Sequence, residues 1–191
     1  MKLDKLEKRT FKIDNLKTRN MEDGTEATVI EGYASVFNSP TMIADWYQEE
    51  IADGAFAETL ASGKDARALF NHNWDYVLGR VSAGTLKLEE DSHGLRFEVT
   101  IPDTSFAADL RISMERGDIN QCSFGFVILE EETNYEVEPM QVRILKVELY
   151  EVSIVSLPAY EDTVASLRSK EFMEDAKKRQ QIIKKISEVL G

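Results

Sequence analysis

Apolar residues recur at every second position along most of this chain, and that period is the strongest constraint on its fold. From about Thr10 to Leu157 the sequence alternates apolar with small or polar residues and carries β-branched runs. Ala27-Thr28-Val29-Ile30-Glu31-Gly32-Tyr33-Ala34-Ser35-Val36-Phe37 and Leu95-Arg96-Phe97-Glu98-Val99-Thr100-Ile101 are examples. A period of two sets successive side chains on opposite faces of a sheet, so these segments are expected as half-buried strands. Asp91-Ser92-His93-Gly94 is turn chemistry between Thr85-Leu86-Lys87-Leu88 and the second of those strands, which predicts a hairpin. Two helical patterns interrupt the strands, at Gly54–Ala61 and at Thr104–Arg116. The second opens on Asp103-Thr104-Ser105, a capping sequence, and closes on Gly117. About six or seven strands joined by short turns, with few helices, predict a mainly β fold of the α+β class. The expected form is a small closed or nearly closed antiparallel β-barrel with surrounding helices, since closure removes exposed strand edges. A sandwich would read the same way.

After Pro158 the pattern changes. Glu161–Leu190 has no Gly or Pro, is rich in Lys, Glu, Arg and Gln, and has apolar residues at loosely helical spacing, among them Leu167, Phe172, Ile182, Ile183, Ile186 and Leu190. The expected organisation is a β-barrel domain over residues 1–165 and a charged helical tail over 166–191, with a helix boundary near Ser169. Hydrophobic residues make up 42% of the 191 residues, which supplies a core. A formal net charge of −12 repels phosphate backbones and argues against nucleic acid as a partner. No apolar run approaches the ~20 residues of a membrane span, and the amino-terminal residues lack the apolar stretch of a signal peptide. Cys122 is the only cysteine, so an internal disulfide is impossible and a reducing compartment is expected.

Two histidines narrow the search for a catalytic base. His93 sits among polar residues in the predicted turn and reads as solvated. His72 follows the apolar run Ala68-Leu69-Phe70 in Asn71-His72-Asn73, where a strand ends and a loop group is held rigidly. It reads either as an ordinary hydrogen-bonded histidine or as a base. In Gly117-Asp118-Ile119-Asn120-Gln121-Cys122-Ser123-Phe124-Gly125-Phe126-Val127-Ile128, parity turns Cys122, Phe124, Phe126 and Ile128 to the core and Ser123, Gly125 and Val127 outward. Ser123 is then a surface serine or a nucleophile, with Gly125 leaving room for a substrate backbone. Cys122 is buried and inert. In Leu149-Tyr150-Glu151-Val152-Ser153-Ile154-Val155, Glu151 lies in an apolar strand, where an unpaired carboxylate costs several kcal/mol. Its partner is either Arg80, Arg96 or Arg143 in a salt bridge, or the second nitrogen of His72. Glu148 is the alternative acceptor, on the Tyr150 face by parity. Metal-ligand spacing, a phosphate-binding glycine loop and a Gly-x-Ser-x-Gly elbow are all absent, so no cofactor and no metal are expected.

Taken in order, Glu31-Gly32-Tyr33-Ala34-Ser35-Val36-Phe37, Leu69-Phe70-Asn71-His72-Asn73 with Leu78-Gly79-Arg80-Val81, Gly94-Leu95-Arg96-Phe97 with Ile101-Pro102-Asp103-Thr104, Arg116-Gly117-Asp118-Ile119 with Cys122-Ser123-Phe124-Gly125-Phe126, and Leu149–Val155 with Pro158-Ala159 form an ordered set. The set resembles the prohead (capsid maturation) proteases of tailed bacteriophages, which are related in fold to the herpesvirus assemblins. The resemblance implies a herpesvirus-protease-like barrel and a serine endopeptidase working through an acyl-enzyme. It assigns His72 as general base, Ser123 as nucleophile and an acidic third member on the closing strand, where Glu151 is preferred. Gly125, Arg80 and Arg143 are candidate oxyanion donors. The implied substrates are the scaffolding segment of the major capsid protein and the protease itself. They would be cut inside the assembling prohead in the host bacterial cytoplasm, with no nucleic-acid or membrane partner. Assemblins act as dimers, which leaves a homo-oligomer open. The tail would be a targeting or self-cleavable element, or a helix packed on its own barrel. The rival reading is a non-catalytic scaffold-binding barrel module in procapsid assembly.

Overall fold

The structure, a computed structural model, describes residues 7–12, 15–20, 26–156 and 170–190. In chain order its strands are β1 (Glu7–Lys12), β2 (Asn15–Asn20), β3 (Glu26–Val36), β4 (Thr41–Ala44), β5 (Tyr47–Ile51), β6 (Arg67–Phe70), β7 (Asn73–Arg80), β8 (Leu86–Glu90), β9 (Gly94–Thr100), β10 (Gln121–Asn134) and β11 (Met140–Val155). The helices are α1 (Ala57–Ala61), α2 (Ser105–Glu115) and α3 (Lys170–Leu190). The alternating segments are indeed strands, and the two embedded helical patterns are α1 and α2. The predicted hairpin is β8–β9, paired antiparallel from Leu86↔Val99 to Glu90↔Leu95.

The expectation of one closed or nearly closed antiparallel barrel is corrected in two respects. Among the described residues the strands form two ladders that do not close on each other. One has seven strands, in the order β1-β10-β11-β5-β4 with β6 and β7 branching from β11, and the other has four, in the order β2-β3-β9-β8. Two pairings are also parallel. The first stretch of β11, Met140–Ile144, pairs with β5, and a later stretch, Glu151–Ile154, pairs with β6. The reason lies in length. With 16 residues β11 outruns either partner, so two short strands share one of its edges.

The ladders share one core. Ile30, Phe97 and Val99 from the smaller sheet join Phe124, Phe126, Val152 and Ile154 from the larger, with Phe56 beside α1. Phe124 stacks on Phe126 at 4.7 Å and meets Phe56 edge-on at 5.5 Å. Full burial of each such ring contributes about 1.5–3 kcal/mol, which anchors the middle of β10. A buried ion pair ties β1 to the same core: Arg9 Nε donates to Glu49 Oε1 at 2.6 Å, both side chains are almost fully buried, and the guanidinium lies 5.4 Å from the Phe126 ring.

The tail helix α3 touches the body through its earlier turns. Ala176 is buried, Gln180 Nε2 donates to the Val137 carbonyl at 3.3 Å, and Lys184 Nζ lies 3.2 Å from Glu138 Oε2. Ile182, Ile186 and Val189 face away and are exposed. The Pro158-Ala159 end of the closing motif, Leu167 and the boundary expected near Ser169 lie outside the described residues. Among the described residues no helix is long and apolar enough to cross a membrane.

Candidate active site

His72 sits in a two-residue hairpin turn. Phe70 of β6 pairs with Asn73 of β7, and the residues between them, Asn71 and His72, have φ of 52° and 56°. Positive φ at both central positions is the geometry whose twist matches that of flanking strands, and it normally selects Asn followed by Gly. A histidine in the glycine place carries backbone strain, of a kind that persists only where the surroundings fix it. Here β11 does so. The Asn71 N–H donates to the Ile154 carbonyl at 2.8 Å, and Asn71 Oδ1 accepts from the Ser156 N–H at 2.9 Å. The His72 N–H donates to Ser153 Oγ at 3.2 Å. The turn is thus tied to the end of β11 and the residue just past it at three points, Ser153, Ile154 and Ser156.

So held, the imidazole meets Glu151: Nδ1 lies 2.7 Å from Oε1. Glu151 is fully buried, while the His72 side chain retains 13% exposure. Its second oxygen, Oε2, accepts from the Ser153 hydroxyl. A buried carboxylate needs both oxygens satisfied, and these two partners provide that. None of the arginines weighed as its partner reaches it. Arg80 Nε donates to Asp65 at 2.8 Å, Arg96 to Glu31 at 3.2 Å, and Arg143 bonds Glu50 and Asn38. Glu148 lies elsewhere, bonded to Lys64 and to the Tyr150 hydroxyl at 2.7 Å. Those two partners, Lys64 first, hold its pKa below the usual carboxylate value.

Ser123 lies on the adjacent strand. In the antiparallel β10–β11 register it faces Ser153, and Gly125 faces Glu151, so all four residues belong to one face of the larger sheet. Cys122 and Phe124 are on the other face, in the core, as parity predicts. One expectation fails: Ser123 is not an exposed hydroxyl. It is fully buried, and among the described residues its Oγ has no hydrogen-bond partner, so His72 and Ser123 are not bonded to each other. The outer row of β10 is buried at Ser123 and Gly125 and opens to solvent beyond Val127. On its far side β10 pairs with β1, where Thr10 stands opposite Ser123.

The space at Gly125, expected to admit a substrate backbone, is taken by Glu151, whose Oε1 lies 2.3 Å from where a Cβ would be. Of the oxyanion candidates, Arg80 and Arg143 are committed to Asp65 and Glu50 as above. Ser153 has no role in the sequence reading. The signal for one is its place two residues beyond the carboxylate, on the same strand face. His93 is an exposed turn residue against Tyr33, with ring centroids 4.5 Å apart.

Comparison with known proteins agrees with the family resemblance read from the sequence. The chain is 34% identical over 128 residues to the prohead protease of Enterobacteria phage HK97, a match covering 65% of this chain and 52% of that protein. The chain therefore spans about half the length of that relative. Its fold is similar to the solved structure of the bacteriophage T4 capsid assembly protease, with a TM-score of 0.58 over 81% of this chain and 98% of the other, at 10% identity. The sequence model of the caudovirus prohead serine proteases matches residues 14–179, most of the chain, and on that match the chain belongs to this family.

Proposed function

We propose that this chain is a serine endopeptidase of capsid maturation, with Ser123 as nucleophile, His72 as general base and Glu151 as the group that orients the base. The observation that carries the proposal is the contact between His72 Nδ1 and the buried Glu151, on the sheet face that also bears Ser123. A carboxylate on Nδ1 favours the tautomer with its proton there, which leaves Nε2 free to take a proton. His72 Nε2 takes the Ser123 proton as Oγ attacks the scissile carbonyl, and returns it to the leaving amine. Water then releases the acyl group by the same route. Glu151 stabilises the imidazolium in both halves.

By kinship with the HK97 prohead protease, the proposed substrates are the scaffolding segment of the major capsid protein and the chain itself, within the assembling prohead. The place of β1 supports the second substrate, because the strand lying beside Ser123 is the chain's own. The shared core of the two sheets supports extending the fold kinship to the assemblins, with the sheets, among the described residues, packed together and not closed into a barrel. The domain division is part of the same proposal: residues 1–165 carry the chemistry, and the tail from 166 is an accessory helix.

Co-expression with a capsid precursor tests the reading. Wild type is expected to shorten the precursor and itself, and Ser123→Ala to leave both intact while remaining folded. Cleavage by Ser123→Ala at the wild-type rate would remove the nucleophile assignment, and no cleavage by either protein would favour the scaffold-binding module.

A further inference from the structure

Ser153 makes two side-chain hydrogen bonds, and both bear on the same pair of residues. Its hydroxyl donates to Glu151 Oε2, and Ser153 Oγ in turn accepts a hydrogen bond from the backbone N–H of His72 at 3.2 Å. The residue is 1% exposed, out of contact with bulk solvent. It therefore fixes the carboxylate from one side and the strained backbone of the histidine turn from the other. Without it Glu151 would keep the imidazole as its remaining side-chain partner and would be free to rotate about its last torsion. The N–H of His72 would lose an acceptor at a residue already held at φ 56°.

We propose that Ser153 is a positioning residue: it sets the orientation of Glu151 and, through it, that of the His72 ring, without touching the reacting atoms. The inference rests on the peptidase reading above. A chemically different role is open to a second serine directly across the ladder from Ser123, namely that of the nucleophile itself. Its hydroxyl proton is already given to Glu151, and its contact with His72 is to the backbone rather than the ring. That bonding fits a support and not an attacking group.

The test compares wild type with Ser153→Ala and Ser153→Thr, the second of which keeps the hydroxyl. Two readouts are used: peptide cleavage, and the downfield proton resonance of the His72 Nδ1–H shared with Glu151. Ser153→Ala is expected to lose about ten- to a hundredfold in kcat with KM little changed, as befits one hydrogen bond to a charged group. It is also expected to shift that proton upfield, and Ser153→Thr to recover most of both effects. An unchanged resonance in folded Ser153→Ala would overturn the proposal whatever the rate, and so would an effect confined to KM. A serine-directed label found on Ser153 would overturn it in favour of the nucleophile role. The resonance does not depend on turnover, so an inactive wild type would count against the peptidase reading and leave this measurement decisive for Ser153.

Discussion

A Cβ on residue 125 would lie 2.3 Å from Oε1 of Glu151, so the carboxylate fills the volume that only a glycine leaves vacant. The atoms that a Cβ would meet are the functional end of a buried side chain pinned on both oxygens, and it cannot swing away cheaply. Gly125→Ala is therefore expected to displace the group that orients His72. Cleavage should fall by about two orders of magnitude, the cost of misplacing a catalytic group by an ångström. Overpacking should cost about 1–3 kcal/mol in urea unfolding. An active, equally stable Gly125→Ala would mean that Glu151 does not need this position.

The two carboxylates of the closing strand separate by substitution. Glu151→Gln keeps size and removes charge beneath the imidazole, and is expected to lower kcat by about 10³–10⁴ by favouring the wrong tautomer. Glu148 is bonded to Lys64 and Tyr150 at a partly exposed position, and Glu148→Gln is expected to leave cleavage within about threefold of wild type. Steady-state rates on one peptide decide between them, and a larger loss for Glu148→Gln would reverse the assignment.

The Arg9–Glu49 pair holds β1 from inside the core. Arg9→Met removes a counter-charge held 2.6 Å from a buried carboxylate and is expected to cost about 3–5 kcal/mol. Adding Glu49→Gln should recover at least half of that, because a neutral amide is cheaper to bury. Urea titration of the single and double variants reads both numbers. A double variant no more stable than the single would show that packing, not charge, dominates at this position.

Glu90 gives a pH signature of opposite sign to the common carboxylate one. Burial raises its pKa above the ordinary value of 4.5, the Phe56 N–H bonded to Oε1 at 3.2 Å works against the rise, and the charge of Asp53 adds to it. A folded pKa above the unfolded one means that the folded state binds the proton more tightly. The associated stability is present at acid pH and is lost as pH rises through the folded pKa. Glu90→Gln should therefore gain stability relative to wild type as pH is raised from about 4 to about 7. Thermal melts across that range check it; a flat difference would show that the burial of Glu90 carries no proton linkage.

The strand content, both embedded helices and the β8–β9 hairpin were legible because period and turn chemistry are local properties. The pairing of β11 was not, since β5 and β6 reach it from distant parts of the chain and nothing in its alternation says in which direction. Parity worked around Ser123 and failed one residue below Glu151. Strict alternation puts Leu149 on the Glu151 row, yet the register slips between Gly125↔Glu151 and Phe126↔Leu149, which turns Leu149 into the core and Tyr150 out of it. A bulge of that kind adds a residue without altering the composition of the strand. The burial of Ser123 was likewise invisible, because β1 and β11 flank it from distant parts of the chain and the alternation of β10 does not report them.

The most direct test of the central assignment is labelling with a small serine-directed phosphonate followed by peptide mapping. Wild type is expected to carry one label, on Ser123, with none on Ser123→Ala and strongly slowed labelling of His72→Ala. A label on any other serine, or equal labelling of Ser123→Ala, would contradict the assignment of Ser123 as nucleophile and His72 as its base.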